Sequence, residues 1–326
     1  MGVFKILATG VAALALGTGA AAAQDNAFPA RMVRIVVPFT AGGLADVLAR
    51  GLAQELAGRW SQPVVVENRP GANTIIAAEY VARSEPDGYT LLMANDPTVS
   101  SNQYLYRKLP YDPVKDFTPV ANVAQTREIL LASNDFPARN LTELIAQAKA
   151  RPGHVTYGSY GIGSKAHLDA ATFSALAGIE LNHVPYKGVA DVMTALLGGQ
   201  IDMAMVGVPP SIPMVRAGKV RLLAVAAPRR IAAFPDTPTF AELGFPAMVS
   251  QAWFGLVAPA GTPPAVVAKI AADVRQVLAQ PAFQEKFVTS VGLEPLDQGP
   301  EEFARFLARD RQEYEHSIRS LNVKLN

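Results

Sequence analysis

The chain has 326 residues, 50% of them hydrophobic, with 29 Lys+Arg against 28 Asp+Glu. A formal charge of +1 with no acidic or basic block argues against nucleic acid as a partner and against a solvating tail. The absence of cysteine excludes disulfides, a thiolate nucleophile, Cys-ligated zinc and a lipid-modified N-terminal cysteine.

The N-terminus reads as an export signal. Lys5 is the positive end, residues 6–16 are the apolar core, and Ala21-Ala22-Ala23 is the small-residue cleavage site before Gln24. The apolar core falls short of the roughly 20 residues a membrane span needs. Residues 1–23 are therefore expected to be removed on export to the periplasm. The remainder, at ~150 residues per domain, is expected to form two domains.

Residues 33–37 (VRIVV) are a β-branched apolar run and predict a buried strand. Pro38 ends it, and Phe39-Thr40-Ala41-Gly42-Gly43 form a loop of mostly small residues. Leu44, Val47, Leu48, Leu52 and Leu56 then fall at helical spacing. A strand, a bare glycine loop and a helix start aim unpaired backbone N–H groups at one spot, which suits an anion. An ordinary βα turn has the same pattern. Asp46 works in both directions, ordering the loop by accepting N–H bonds or repelling a bound anion. Gly43→Val is expected to abolish binding with less effect on folding, because a branched side chain would disfavour any positive φ there and block close approach of a ligand to the backbone.

Further along, residues 63–67 predict a strand, 74–83 a helix and 89–94 a strand, giving a βαβαβ order and a parallel sheet. Asn95 lies just past the carboxyl end of the third strand, where ligands collect in open α/β sheets. Residues 109–119 read as an irregular connection, followed by two strand-like runs at 120–124 and 129–132. Asn140 caps a helix at 141–150. A strand at 155–157 leads into a second glycine loop, residues 158–164, and a helix at 165–177. Strands at 183–185, 201–206 and 221–226 alternate with helices at 189–197 and 209–216. An apolar strand at 252–258 is followed only by helices, the last opened by Pro300 and burying Phe303, Phe306, Leu307, Tyr314, Ile318 and Leu321.

Catalytic and metal signatures are missing. The second loop has the glycine spacing of a phosphate loop, but Ser164-Lys165 reverses the required Lys-Ser/Thr order. No GxGxxG, GxSxG, SxxK or HExxH occurs. His154, His167, His183 and His316 are scattered, and His167 is expected to bond the neighbouring backbone. N–H-rich loops without an assembled acid, base or nucleophile point to binding, with no cofactor, metal or catalytic residue.

Eight stretches together resemble one family, the periplasmic solute receptors of tripartite tricarboxylate transporters, the Bug-type receptors. They are VPFTAGGLADVLAR from Val37, VVVENRPGA from Val64, PDGYTLL from Pro86, KLPYDPVKDFTPVA from Lys108, YGSYGIGSKAHL from Tyr157, HVPYKG from His183, GGQIDM from Gly198 and RAGKVRLLAV from Arg216. The resemblance implies an α/β, two-lobed periplasmic-binding-protein fold of the type II, hinged-trap kind, each lobe a mainly parallel sheet flanked by helices. Residues 24–125 and 250–326 would form lobe 1, and 126–249 lobe 2. It implies a small carboxylate ligand, transient contact with membrane transporter subunits, and a monomer. The binding residues it implies are Phe39, Thr40, Ala41, Gly42, Gly43 and Asp46 from the first loop, Ser159, Gly163 and Ser164 from the second, and Tyr186. Asn95 joins them by its place at a strand end. The chain departs from the family in carrying Asn73-Thr74 after Ala72, and Val206-Gly207 where many members have an acidic or amide pair. Val206 is therefore expected on the cleft wall, where Val206→Asp would repel a dicarboxylate. The rival readings are a receptor that presents its ligand to a signalling partner, and a secreted hydrolase.

Overall fold

The computed structural model describes residues 28–320; the expected export signal and Leu321 lie outside them. In chain order the elements are β1 (Val33–Val37), α1 (Leu44–Trp60), β2 (Val64–Asn68), α2 (Ile75–Ala82) and β3 (Thr90–Ala94). A wide helical turn at Pro97–Ser101 leads into a short α3 (Asn102–Leu105), then β4 (Phe117–Ser133), α4 (Leu141–Ala150), β5 (Thr156–Ser159) and α5 (Lys165–Ala177). β6 (Asn182–Pro185), α6 (Val189–Leu197), β7 (Met203–Gly207), α7 (Val208–Arg216) and β8 (Val220–Val225) complete the middle of the chain. β9 (Gln251–Pro259), α8 (Pro264–Leu278), α9 (Pro281–Gln284), β10 (Glu294–Gln298) and α10 (Pro300–Ser320) close it.

The predicted parallel grammar holds twice. β1 lies between β2 and β3, all parallel, and β5 lies between β6 and β7 in the same way. β1 pairs on both sides and is covered on both faces, so Val33, Ile35, Val36 and Val37 are wholly buried, which is why it reads as an unbroken apolar run. The remaining pairings are antiparallel and involve β4 or β9, so each half is a mixed sheet.

Two expectations change. The runs at 120–124 and 129–132 belong to one 17-residue strand, β4. Gln125, Thr126, Arg127 and Glu128 break the apolar pattern, yet all but Arg127 are buried within the strand. Residues 117–127 of β4 pair with β9, and residues 128–133 pair with β7 and β8. The strand therefore completes two half-sheets in succession. The second change is β10, antiparallel to β4, where no further strand was expected. Its sequence, EPLDQ, lacks an apolar run because it is a half-exposed edge strand, a position that tolerates Pro295.

Each half-sheet is covered on both faces. In the first half, one core packs α1 and α8 against the sheet, and the other packs α2 and α10. In the second half, one core contains α4 and α5 and the other α6 with Val208 at the start of α7. Asn140 caps α4 as predicted, its side chain accepting from Glu143 N at 2.9 Å. Trp253 anchors α10: its ring meets Phe303 and Phe306 edge-on at 5.4 and 5.6 Å, and its Nε1 donates to Asp310 at 3.1 Å.

Gly255 in β9 lies under Phe303. A Cβ there would fall 2.5 Å from the ring and 3.0 Å from the Ala121 carbonyl oxygen, and the wholly buried ring has nowhere to go. Gly255→Ala should destabilise the protein by about 1–3 kcal/mol, the usual cost of overpacking, read as a lower urea midpoint with unchanged slope.

Candidate functional site

The two glycine loops occupy equivalent places, each between the carboxyl end of a central parallel strand and a helix start. In the first, Thr40, Ala41, Gly42 and Gly43 are all exposed. Gly42 has φ +86°, whereas Gly43 is extended at φ −76°, so Gly42 is the position that requires glycine. Val47 N–H donates back to Gly43 O, while the N–H groups of Leu44 and Ala45 find no protein acceptor among the described residues. Those amides and the helix dipole give the end of the loop a positive potential.

Asp46 does not oppose that charge. Its carboxylate accepts from Gly42 N at 2.9 Å, Arg50 Nε at 2.9 Å and Asn68 Nδ2 at 2.8 Å. Asn68 Nδ2 also donates to Phe39 O at 3.0 Å, so both ends of the loop are tied to one buried carboxylate. Burial would raise the Asp46 carboxyl, but the bonds from Arg50, Gly42 and Asn68 outweigh it and hold it below the usual range. Arg50 cancels the charge, leaving the loop amides to set the local potential.

The second loop is built without charge. Gly161 and Gly163 have φ +136° and +76°. Ser164 is the N-cap of α5, its hydroxyl accepting from His167 N. Gly163 N donates to His167 Nδ1 at 3.0 Å, as expected of a histidine bonded to neighbouring backbone. Ser159 is wholly buried, its Oγ 2.7 Å from His183 Nε2 and 3.0 Å from Gly161 O. This serine–histidine contact is not legible in the sequence. It is no exposed nucleophile: the serine is inaccessible and its hydroxyl bonds a carbonyl. Tyr186 N donates to Ser159 O at 2.8 Å, which sets the half-buried Tyr186 beside the loop.

The remaining expected residues fall as follows. Asn95 is buried and accepts from Thr98 Oγ1 at 2.6 Å, starting the helical turn after β3. Val206 is wholly buried in the apolar core of the second half, opposite Ile129. It does not line a cleft wall, because Gly207 is the residue of β7 that emerges toward solvent. Val206→Asp would thus bury an unpaired carboxylate and act on folding. Ser159 likewise shapes its loop from below.

The halves touch behind the second loop. A Cβ on Gly163 would lie 2.7 Å from Leu105 Cδ2 on α3. Leu105, Leu168, Tyr314 and Ile318 form a buried cluster drawn from α3, α5 and α10. Beside it Lys165 pairs with Asp169 at 2.9 Å, Ser250 Oγ bonds Asp169, and Tyr314 OH donates to Asp96 at 2.9 Å. Glu128, where β4 passes between the half-sheets, is 1% exposed, and its Oε2 has no partner among the described residues. Asp169 is thus bonded to the Lys165 ammonium, and Asp96, Glu128 and Asp310 lie close enough to feel its charge. Burial and then Asp310 push Asp96 up to about 7, and burial and then Asp169 push Glu128 up to about 8. Burial would lower Lys165, but Asp169, Asp96 and Asp310 prevail and push it up to about 12.

Two predictions come from these networks. Asp46→Ala removes the charged acceptor of the Gly42 amide and of one Asn68 Nδ2 hydrogen, leaving Asn68 its bonds to Phe39 O and Arg50, and should cost about 2 kcal/mol of stability, with faster hydrogen exchange at Gly42. A Glu128 whose folded pKa is raised keeps its proton where the unfolded chain has lost it, so its burial costs stability progressively between about pH 4.5 and about pH 8. The melting temperature of Glu128→Gln minus that of wild type should therefore grow from pH 5 to pH 8.5, by more than about 2 °C. A constant difference across that range would refute it.

Comparison with known proteins agrees with this architecture. The family model described as "Tripartite tricarboxylate transporter family receptor" matches residues 48–323. BugT of Bordetella pertussis is 35% identical over 307 residues, covering 94% of each chain. Among solved structures, Rpa4515 of R. palustris with adipate is 34% identical with a TM-score of 0.83, covering 91% of this chain and 100% of that one. MatC of Rhodopseudomonas palustris with bound malate is 34% identical with a TM-score of 0.78, covering 89% and 100%. The two half-sheets joined by β4 are the fold of periplasmic binding proteins, and the chain belongs to the tripartite tricarboxylate transporter receptor family.

Proposed function

We propose that this receptor captures a small organic carboxylate, a di- or tricarboxylate or an aromatic carboxylate, between its two halves, and delivers it to a tripartite tricarboxylate-type membrane transporter. The observation that carries the proposal is the first loop: exposed, ending on unpaired helix amides, with its one acid neutralised by Arg50. Such a seat holds a carboxylate through backbone N–H groups. The adipate and malate in the two Rhodopseudomonas proteins are of the same chemical class. The halves proposed as lobes are 24–125 with 250–326, and 126–249; β4 changes partners at 127–128, near the first junction, and β9 begins at Gln251, beside the second. Ligand would bridge the loops, and closure around it would depend on its presence. No turnover is proposed. On this reading the receptor works in the periplasm after removal of residues 1–23.

A thermal-shift panel of adipate, malate, citrate and benzoate tests the ligand class. A true ligand at a hundredfold excess over its Kd should stabilise the protein by about 2.7 kcal/mol. It should reduce the radius of gyration in solution scattering and be recovered unchanged. The exported protein should have the mass of a chain starting near Gln24. If no carboxylate stabilised the protein, or if the stabilising one were consumed, the proposal would fall.

A further inference from the structure

We propose that His167 and His183 are positioning residues that hold the second glycine loop in its binding shape, and that the loop keeps that shape only while His167 is neutral. The inference rests on the reading of that loop as part of the ligand site.

The hydrogen bonds determine both tautomers. Gly163 N is a donor, so His167 Nδ1, 3.0 Å away, must carry a lone pair and its proton sits on Nε2. Ser159 has one hydroxyl hydrogen. Gly161 O, at 3.0 Å, can only accept it, so the 2.7 Å contact with His183 is made by His183 Nε2–H donating into the serine oxygen. Gly161 N donates to the same oxygen at 3.3 Å. The two histidines thus hold the two glycines of the loop, one directly and one through Ser159.

The rings are also packed together. His167 and His183 are stacked at 4.1 Å between centroids and 5° between planes, with Tyr157 alongside His183 at 4.8 Å and 18°. The titratable groups facing the stack are Tyr157 on β5 and the two imidazoles on α5 and β6. Burial pushes Tyr157 up to about 12, so it is neutral. Lys165 and Asp169, on the same helix as His167, are engaged with each other. Burial lowers His167, and burial and then the neighbouring His167 lower His183 to about 4. Both rings are therefore neutral at pH 7. Acid would put a proton on His167 Nδ1, which then faces the Gly163 N–H as a second donor, and the bond is lost. Gly163 is also where the loop meets Leu105 of the first half, so its displacement would be felt across the interface.

The test uses uniformly ¹⁵N-labelled full-length mature protein without ligand, titrated from pH 8 to pH 4. Both histidines should show the Nε2–H tautomer at pH 7.5 and midpoints below 6.5, and the Gly163 amide should shift with the His167 midpoint. His167→Asn, whose Oδ1 replaces Nδ1, should keep Gly163 protected from exchange and abolish its acid transition. His167→Ala should expose the amide at every pH. An Nδ1–H tautomer at His167, or a Gly163 amide indifferent to its protonation, overturns the proposal. A binding arm uses adipate and malate by calorimetry at pH 7.5 and 5.0. The wild-type affinity relative to that of His167→Asn should fall at least tenfold at the lower pH, a ratio in which protonation of the acids cancels. A constant ratio would show that the loop conformation does not govern binding and overturns the positioning role. If neither acid bound at pH 7.5 while the Gly163–His167 linkage held, the carboxylate reading would fail and the loop assignment would stand.

Discussion

The structure depends on one strand serving two sheets. β4 offers N–H and C=O groups on both edges along 17 residues, and a buried strand must pair nearly all of them. It does so with β9 and β10 in the first half and with β7 and β8 in the second. The return crossing is pinned beside it. Ala226 N donates to Glu128 O, and Ser250 N donates to Ala226 O, both at 2.9 Å. The halves are thus joined by adjacent crossings at 127–128 and 226–251, while the glycine loops stand at the strand ends.

That junction carries an electrostatic load. Holding four buried carboxylates near the single, partly buried ammonium of Lys165 is unfavourable if all ionise, because each uncompensated charge loses its hydration. Proton retention on Glu128 and Asp96 is the relief available. The cluster brings Lys165 and Asp169 of the second half against Tyr314 of the first, whose hydroxyl is bonded to Asp96.

The loops solve one problem by opposite means. Each must keep a glycine-rich turn rigid while leaving amides available. The first uses ionic groups, an Asp46–Arg50–Asn68 network that sums to zero charge. The second uses neutral imidazoles and a buried serine. Neither loop presents an uncompensated charged side chain, so a ligand anion would be read through amides. The first loop is accordingly indifferent to mild acid, because its network is already held below the usual carboxylate range, whereas the second depends on bases that acid can protonate.

Local signals were enough for most elements and for the course of the first loop. A β-branched run ended by Pro38 marked β1, the Pro86-Asp87-Gly88 turn before an apolar run marked β3, helical spacing marked α1, and Asn140 marked its cap, because each depends on contacts within a few residues. Asp46 was legible as a loop organiser for the same reason: Gly42 and Arg50 lie four residues either side of it. The continuity of β4 was hidden, since Gln125 to Glu128 are buried polar residues whose partners come from distant segments. β10 was hidden because an edge strand needs no apolar run. Val206 and Ser159 were placed at the cleft by motif position, and only the pleat of their strands shows that both face inward. The His167–His183 stack joins residues sixteen positions apart on a helix and a strand, and the acid cluster joins β4, α5 and α10 with the turn after β3. Sequence by itself determined what each segment can do with its own neighbours. Which polar groups meet across segments, and hence which ones hold protons, was decided only by the tertiary structure, because pairing of parallel strands through long crossovers brings together residues that no local periodicity connects.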